Sequence, residues 1–228
     1  MDTYTINNMR IRKRLQLYLG LCKWYGQRKE DKIIAQYFGD FKGTLLSIGE
    51  NDGQIYSNVL YFLKREWVGD LVEPSLKAFH RLEARHWLVP GVHSHNVAIM
   101  SKSGQMAFYE SGSLVNLGDT SLVSSIDPGQ VYRWPKVKFK KTEVEVLSFY
   151  DFLNKRAYYH NYDLISIDAE GMDLLILQQM DLQKLDCRCL VVEHGGDIQP
   201  FINLVQPQGF HLLFTTEENL IFARYINQ

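Results

Sequence analysis

The stretch TLLSIGENDGQIYSNVLYFLKREWVGDLVEP, residues 44–74, most constrains what this chain folds into. It opens on TLLSIG, an apolar run with the length and content of a buried strand. Gly49 and Gly53 bracket a turn. QIYSNVLYFLKRE follows, and the spacing of Ile55, Val59, Leu60 and Leu63 predicts a helix. GDLV is a second apolar run, closed by Glu73 and Pro74. Strand, helix and strand in so short a span specify a parallel pair joined by a right-handed crossover.

The rhythm continues. LKAFHRLEARHW predicts a helix with Ser75 as its cap, and VHSHNVAI a third strand. Residues 100–146 are less regular. GQMAFYES and PKVKFKKTEVEV alternate as strands do, while Gly112, Gly118 and Gly129 mark loops. Beyond them DLISID and RCLVVEH read as strands, and GMDLLILQQM and IQPFINLVQPQG as helices, the last to about Pro207. FHLLFTT and NLIFARY flank a turn-like EE and predict an antiparallel hairpin. At the other end, MRIRKRLQLYLGLCKWYG places Ile11, Leu15, Tyr18, Leu19 and Cys22 on one helical face. KIIAQYFGDF predicts a second helix ending near Gly39. The chain divides into an N-terminal helical extension over 1–40 and one α/β domain over 41–228.

A length of 228 residues suits one sizeable domain. The net charge of -1 asks for neither nucleic acid nor an anionic membrane, and Arg10, Arg12, Lys13 and Arg14 read as a solvated helix face. Three cysteines, an odd count, argue against a disulfide scaffold and fit a reducing compartment. With no apolar run long enough to span a bilayer and no secretory pattern, the expectation is a cytoplasmic protein without stable membrane insertion. The N-terminal helices offer contact surfaces for a homo-oligomer.

In such sheets ligands bind outside the carboxyl ends of the strands, where the strand order reverses. Gly49 and Gly53 let backbone approach a ligand closely, and the helix expected after them presents free N–H groups. Glu73 ends the second strand, where a carboxylate accepts both hydroxyl hydrogen bonds of an adenosine ribose. A dinucleotide site asks for G-x-G-x-x-G. Here the pattern is G-x-x-x-G, and Glu50 and Asp52 repel a pyrophosphate. They suit the ammonium and sulfonium charges of S-adenosylmethionine (SAM), so SAM is favoured over NAD. The alternatives are a NAD-binding Rossmann-like protein and a non-catalytic binding protein on the same fold.

LLSIGENDGQIYSNVLYFLKREWVGDLVEPSLKAFHRL, VEVLSFYDFLNK, DLISIDAEGMDLLILQQMDL and NLIFAR together resemble the FkbM-type methyltransferases over about residues 30–226. The resemblance implies a class I, Rossmann-like methyltransferase fold: a seven-stranded, mostly parallel sheet ending in a C-terminal antiparallel hairpin, plus the N-terminal helices. The activity it implies is SAM-dependent O-methylation of a hydroxyl on a sugar or small metabolite. By position, Gly49, Asn51, Asp52 and Gly53, with the following Ser57 and Asn58, would line the methionine part of SAM. Glu73 would hold the ribose, Asn96 and Val97 would approach the adenine, and Asp168 would meet the reaction centre. This chain departs from the family in having Ser47 where Asp is usual and Glu50 where a small residue is usual. Glu50 is expected to supply the missing carboxylate.

Methyl transfer to an alcohol gains from a base. Asp168 and Glu193 end two strands, and His194 is the leading base because imidazole titrates near neutrality. Asp168 is also expected to cap a helix starting at Gly171. Asp168, Glu193 and His194 would suit magnesium or manganese as a secondary expectation. Cys187 and Cys189 have no second pair to complete a zinc site. RWPKVKFKK, residues 133–141, reads as a half-exposed strand, or as a surface steering an anionic acceptor. Tyr132 and Trp134, in the preceding loop, would stack on a carbohydrate acceptor.

Overall fold

The computed structural model describes residues 22–114, 118–119 and 121–225. Of the helix expected over MRIRKRLQLYLGLCKWYG, residues 9–21 lie outside the described residues, and residues 22–26 are not helical. Twelve strands follow in chain order: β1 Thr44–Ile48, β2 Val68–Val72, β3 Val92–His95, β4 Ala98–Ile99, β5 Gly104–Ser111, β6 Ser113–Leu114, β7 Gly118–Asp119, β8 Phe139–Leu147, β9 Leu164–Ile167, β10 Cys189–Glu193, β11 His211–Thr215 and β12 Asn219–Ala223. Seven of them form one sheet in the order β3-β2-β1-β9-β10-β12-β11. Strands β3, β2, β1, β9 and β10 run parallel, and β12 enters antiparallel between β10 and β11. This is the seven-stranded, mostly parallel Rossmann-like sheet with a reversed terminal hairpin that the resemblance implies. The order reverses at β1, which has β2 on one side and β9 on the other.

The parallel strands are apolar on both faces because helices cover both. Leu46, Ile48, Ile165, Ile167 and Leu190 meet Phe152, Leu177 and Phe201 on one side. Leu45, Leu71, Leu164 and Val191 meet Ile34 and Phe38 on the other. Ile34 and Phe38 belong to α1 (Glu30–Phe38), so this helix is part of the sheet's cover rather than an appendage at the 40/41 boundary.

Several elements are shorter than the periodicity predicts. α2 is a single turn, Leu60–Leu63. The polar loop that precedes it takes up Ile55, and Ser57 Oγ accepts the N–H groups of Val59 and Leu60 where the helix begins. The helix expected directly after Gly53 therefore starts only at Leu60. α3, Leu76–His86, is as predicted, with Ser75 Oγ accepting the N–H of Ala78. VHSHNVAI breaks at Asn96: β3 stays in the main sheet, whereas β4 pairs with β8 in a separate sheet beside β5. The basic strand starts only at Phe139. Ahead of it, inside the predicted loop, lies α4 (Gly129–Arg133), whose first turn is set by Asp127 accepting the N–H of Gly129. α5 (Phe149–Lys155), α6 (Asp173–Leu177) and α7 (Gln199–Val205) complete the helices.

Candidate functional site

One row of the sheet register builds the rim. Val72, Ile48, Ile167 and Val192 lie side by side across β2, β1, β9 and β10, and Val72 pairs His95 of β3. The next residue on each strand stands at the carboxyl edge of the sheet, Glu193 still paired with Asn219 of β12 and the others just past their strands. Those residues are Asn96, Glu73, Gly49, Asp168 and Glu193, five of the predicted site positions. They come together because parallel strands in register end together.

Gly49 holds the switch point closed. It sits at φ 82°, and a Cβ there would lie 1.8 Å from the carbonyl oxygen of Asp168. Only glycine allows β1 and β9 to exit this close together. The N–H groups of Gly49 and Glu50 donate to the carbonyl of Val72, and Asn51 N–H donates to Glu73 Oε2 at 2.9 Å. Glu73 Oε1 accepts the N–H of Ser75 at 2.7 Å. Each Glu73 oxygen keeps a lone pair for a further donor. Burial pushes this carboxyl up to about 8 against those two hydrogen bonds, which lower it. Gly53 touches α3: a Cβ there would lie 2.7 Å from Leu82 and 2.8 Å from His86.

The loop acids divide. Asp52 turns inward, and its Oδ1 accepts the N–H groups of Gln54 and Ile55, shaping the loop. Glu50 is buried. Its carboxylate accepts from the hydroxyls of Ser47 at 2.5 Å and Ser57 at 2.6 Å. Burial pushes it up to about 7. The carboxylate of residue 50 thus lies against the short side chain of residue 47, an exchange of the family's usual Asp and small residue. Asn58 donates to Ser166 Oγ of β9 at 3.3 Å. Asn51 is different. Held at φ 54°, it has both side-chain polar atoms buried with no partner. Unmet hydrogen-bonding capacity in a loop beside Glu73 fits a polar ligand. Asn96 spends its amide nitrogen on the carbonyls of Glu73 and Pro74, and Val97 packs into the core with Val72 and Ile48.

The other side of the rim is acidic. Burial first, then Asp173 and Glu50, pushes Asp168 up to about 7. Burial, then Asp168 and Asp173, pushes Glu193 up to about 9. Glu170, held at φ 49°, is raised well above the usual carboxylate range by burial and then by Asp168 and Glu193. The cap predicted for Asp168 is not made: the helix Asp173–Leu177 begins without a side-chain cap, and the carboxylate of Asp173 ties back to the N–H groups of Ala169 and Gly171 in the preceding turn. The side chain of Asp168 is left to the rim.

His194 is not brought in with a free ring. Its Nδ1 accepts the N–H of Gly196 at 2.9 Å, and Nε2 faces the carbonyl of Thr216 at 3.4 Å. That pattern fixes the Nε2–H tautomer and occupies the basic nitrogen. Among the described residues no group of three or more His, Cys, Asp or Glu could hold a metal ion. Magnesium is therefore not supported. Cys187 and Cys189 are buried free thiols, raised by burial. Among the described residues no helix is long and apolar enough to cross a membrane. Sequence reasoning missed Gln130, Asp173 and the cradle around Glu50; none of them carries a local signal beyond a turn or a helix start.

The family model of the methyltransferase FkbM domain matches residues 47–220. No curated protein matches the sequence. Among solved structures, the chain is similar to a TehB-like SAM-dependent methyltransferase from Corynebacterium glutamicum (12% identity, 98% of this chain, 100% of that one, TM-score 0.46). It is also similar to precorrin-6y C5,15-methyltransferase from Geobacter metallireducens (8%, 88%, 89%, 0.47). A third is an O-methyltransferase from Bacillus cereus in complex with SAH (10%, 98%, 90%, 0.42).

Proposed function

Because this chain belongs to the methyltransferase FkbM domain family, we propose that it is a SAM-dependent enzyme that methylates a hydroxyl oxygen of a sugar or small metabolite. One observation carries the reading: Glu73, Gly49, Asp168 and Glu193 leave one register row together, beside an Asn51 amide with no partner. As a carboxylate, the form that two ribose hydroxyl donors favour, Glu73 has the lone pairs to take them, and Asn51 and Glu50 face the methionine end. Bound SAM supplies a methyl group already activated by its sulfonium.

The chain's own task is to orient the acceptor and take its proton. Asp168, poised near neutrality, takes that proton, since a base works best when its pKa lies near the working pH. Glu193 stays protonated at pH 7 and donates a hydrogen bond on the same rim. His194 shapes the rim through its bonds to Gly196 and Thr216.

Calorimetry tests the donor site. Wild type is expected to bind SAM, and Glu73→Ala to lose at least about a hundredfold in affinity, on the scale of buried hydrogen-bonded groups left unpaired. Unchanged affinity removes the ribose placement, and tight saturable NADH binding in its stead favours an oxidoreductase. A screen of sugars and metabolites with labelled SAM then identifies the acceptor.

A further inference from the structure

The segment Ser125–Arg133 is far from the rim in sequence, yet it clasps it. Ser125 Oγ donates to the carbonyl of Glu170 at 2.9 Å. Gln130 Nε2 donates to the same carbonyl at 3.0 Å and to Glu170 Oε2 at 3.1 Å. The bonds hold Glu170 in a left-handed backbone conformation that a side chain rarely adopts, and such strain concentrates at functional sites. Gln130 is 2% exposed, and its Oε1 is buried without a partner. A buried carboxamide oxygen left unmet costs stability. What it lacks is a hydrogen-bond donor.

The charges around it ask for the same thing. Asp168, Glu170, Asp173 and Glu193 face one another here, and Glu218 and Glu30 add to the field at Asp168. Arg133 is the cation acting on Glu170 and Glu193, and it faces Asp127 at 4.0 Å. Of the basic run that reads as a surface for anions, Lys140 and Lys141 are exposed on β8, opposite Glu110 and Tyr109 of β5.

We propose that Gln130 is the positioning residue of Glu170, and that the pair takes the acceptor of the reaction proposed above. That acceptor presents hydrogen-bond donors and carries no negative charge: a neutral or amine-bearing polyol, not a phosphorylated or carboxylated one. Repulsion by ionised Asp173 and Asp168 rejects an anion, and the unmet oxygen of Gln130 rejects a molecule without donors.

The test titrates the full chain, saturated with S-adenosylhomocysteine, with D-glucosamine and separately with D-glucose 6-phosphate. The readouts are calorimetry and the NMR signal of the Gln130 side-chain amide. Glucosamine is expected to bind and move that signal, and glucose 6-phosphate to bind at least about tenfold more weakly. Gln130→Leu is expected to weaken glucosamine about tenfold, with Gln130→Asn recovering part of the loss and the affinity for S-adenosylhomocysteine unchanged in both. Stronger binding of glucose 6-phosphate, no binding of either sugar, or wild-type glucosamine affinity in Gln130→Leu overturns the proposal. Failure of S-adenosylhomocysteine to bind wild type counts instead against the donor site.

Discussion

Asp70 and Asp168 lie in one sheet, and their carboxyls move in opposite directions. Asp70, in the middle of β2, is fully buried, yet it stays below the usual carboxylate range. Burial alone would raise it. Hydrogen bonds from His95 at 2.6 Å, Tyr162 Oη at 2.7 Å and the N–H groups of Tyr158 and Tyr159 overcome that cost. Asp168 is raised first by burial; no such donors offset that cost, and its neighbours are other acids. Donors decide more than depth does. The satisfied carboxylate ties strands and loops together, and the unsatisfied one is available for chemistry.

The largest effect that tests this contrast is Asp70→Asn. It removes a buried charge from its partners and is expected to cost about 3–5 kcal/mol in a denaturation experiment. A cost below about 1 kcal/mol would break the contrast at its structural end. Next comes Asp168→Asn, expected to lower kcat on the acceptor found by screening about a hundredfold while leaving the melting temperature unchanged or higher. A variant that unfolds instead makes Asp168 another structural carboxylate.

The smallest effect is in pH dependence, where the two carboxyls carry opposite signs. Asp70 titrates lower when folded, so its contribution is complete above its ordinary value of 3.8 and is lost as pH falls through the folded value. Glu193 goes from 4.5 to about 9 on folding, so its contribution is complete below 4.5 and is lost as pH rises toward 9. Thermal melts from about pH 2 to 9 should show Glu193→Gln flattening the alkaline decline, leaving the acid limb to Asp70. An unchanged alkaline limb would mean Glu193 is not held protonated.

The sequence by itself determined the strands of the main sheet and the helices that alternate with them, the cap at Ser75, and the placement of Gly49, Glu73, Asp168 and Glu193 at strand ends. These follow from apolar periodicity and turn residues within short windows, and strands in register then carry their last residues to one rim. Tertiary structure decided what each carboxylate became. The donors that hold Asp70 come from His95 and Tyr162, 25 and 92 residues away. The bonds that clasp Glu170 come from Gln130, 40 residues away. It also shortened the helix after Gly53 to Leu60–Leu63, because Glu50 and Ser57 bind each other before the chain can coil. Local spacing cannot report any of this: proton affinity and hydrogen-bond satisfaction depend on which distant groups arrive at a carboxylate, and only the packed chain sets that.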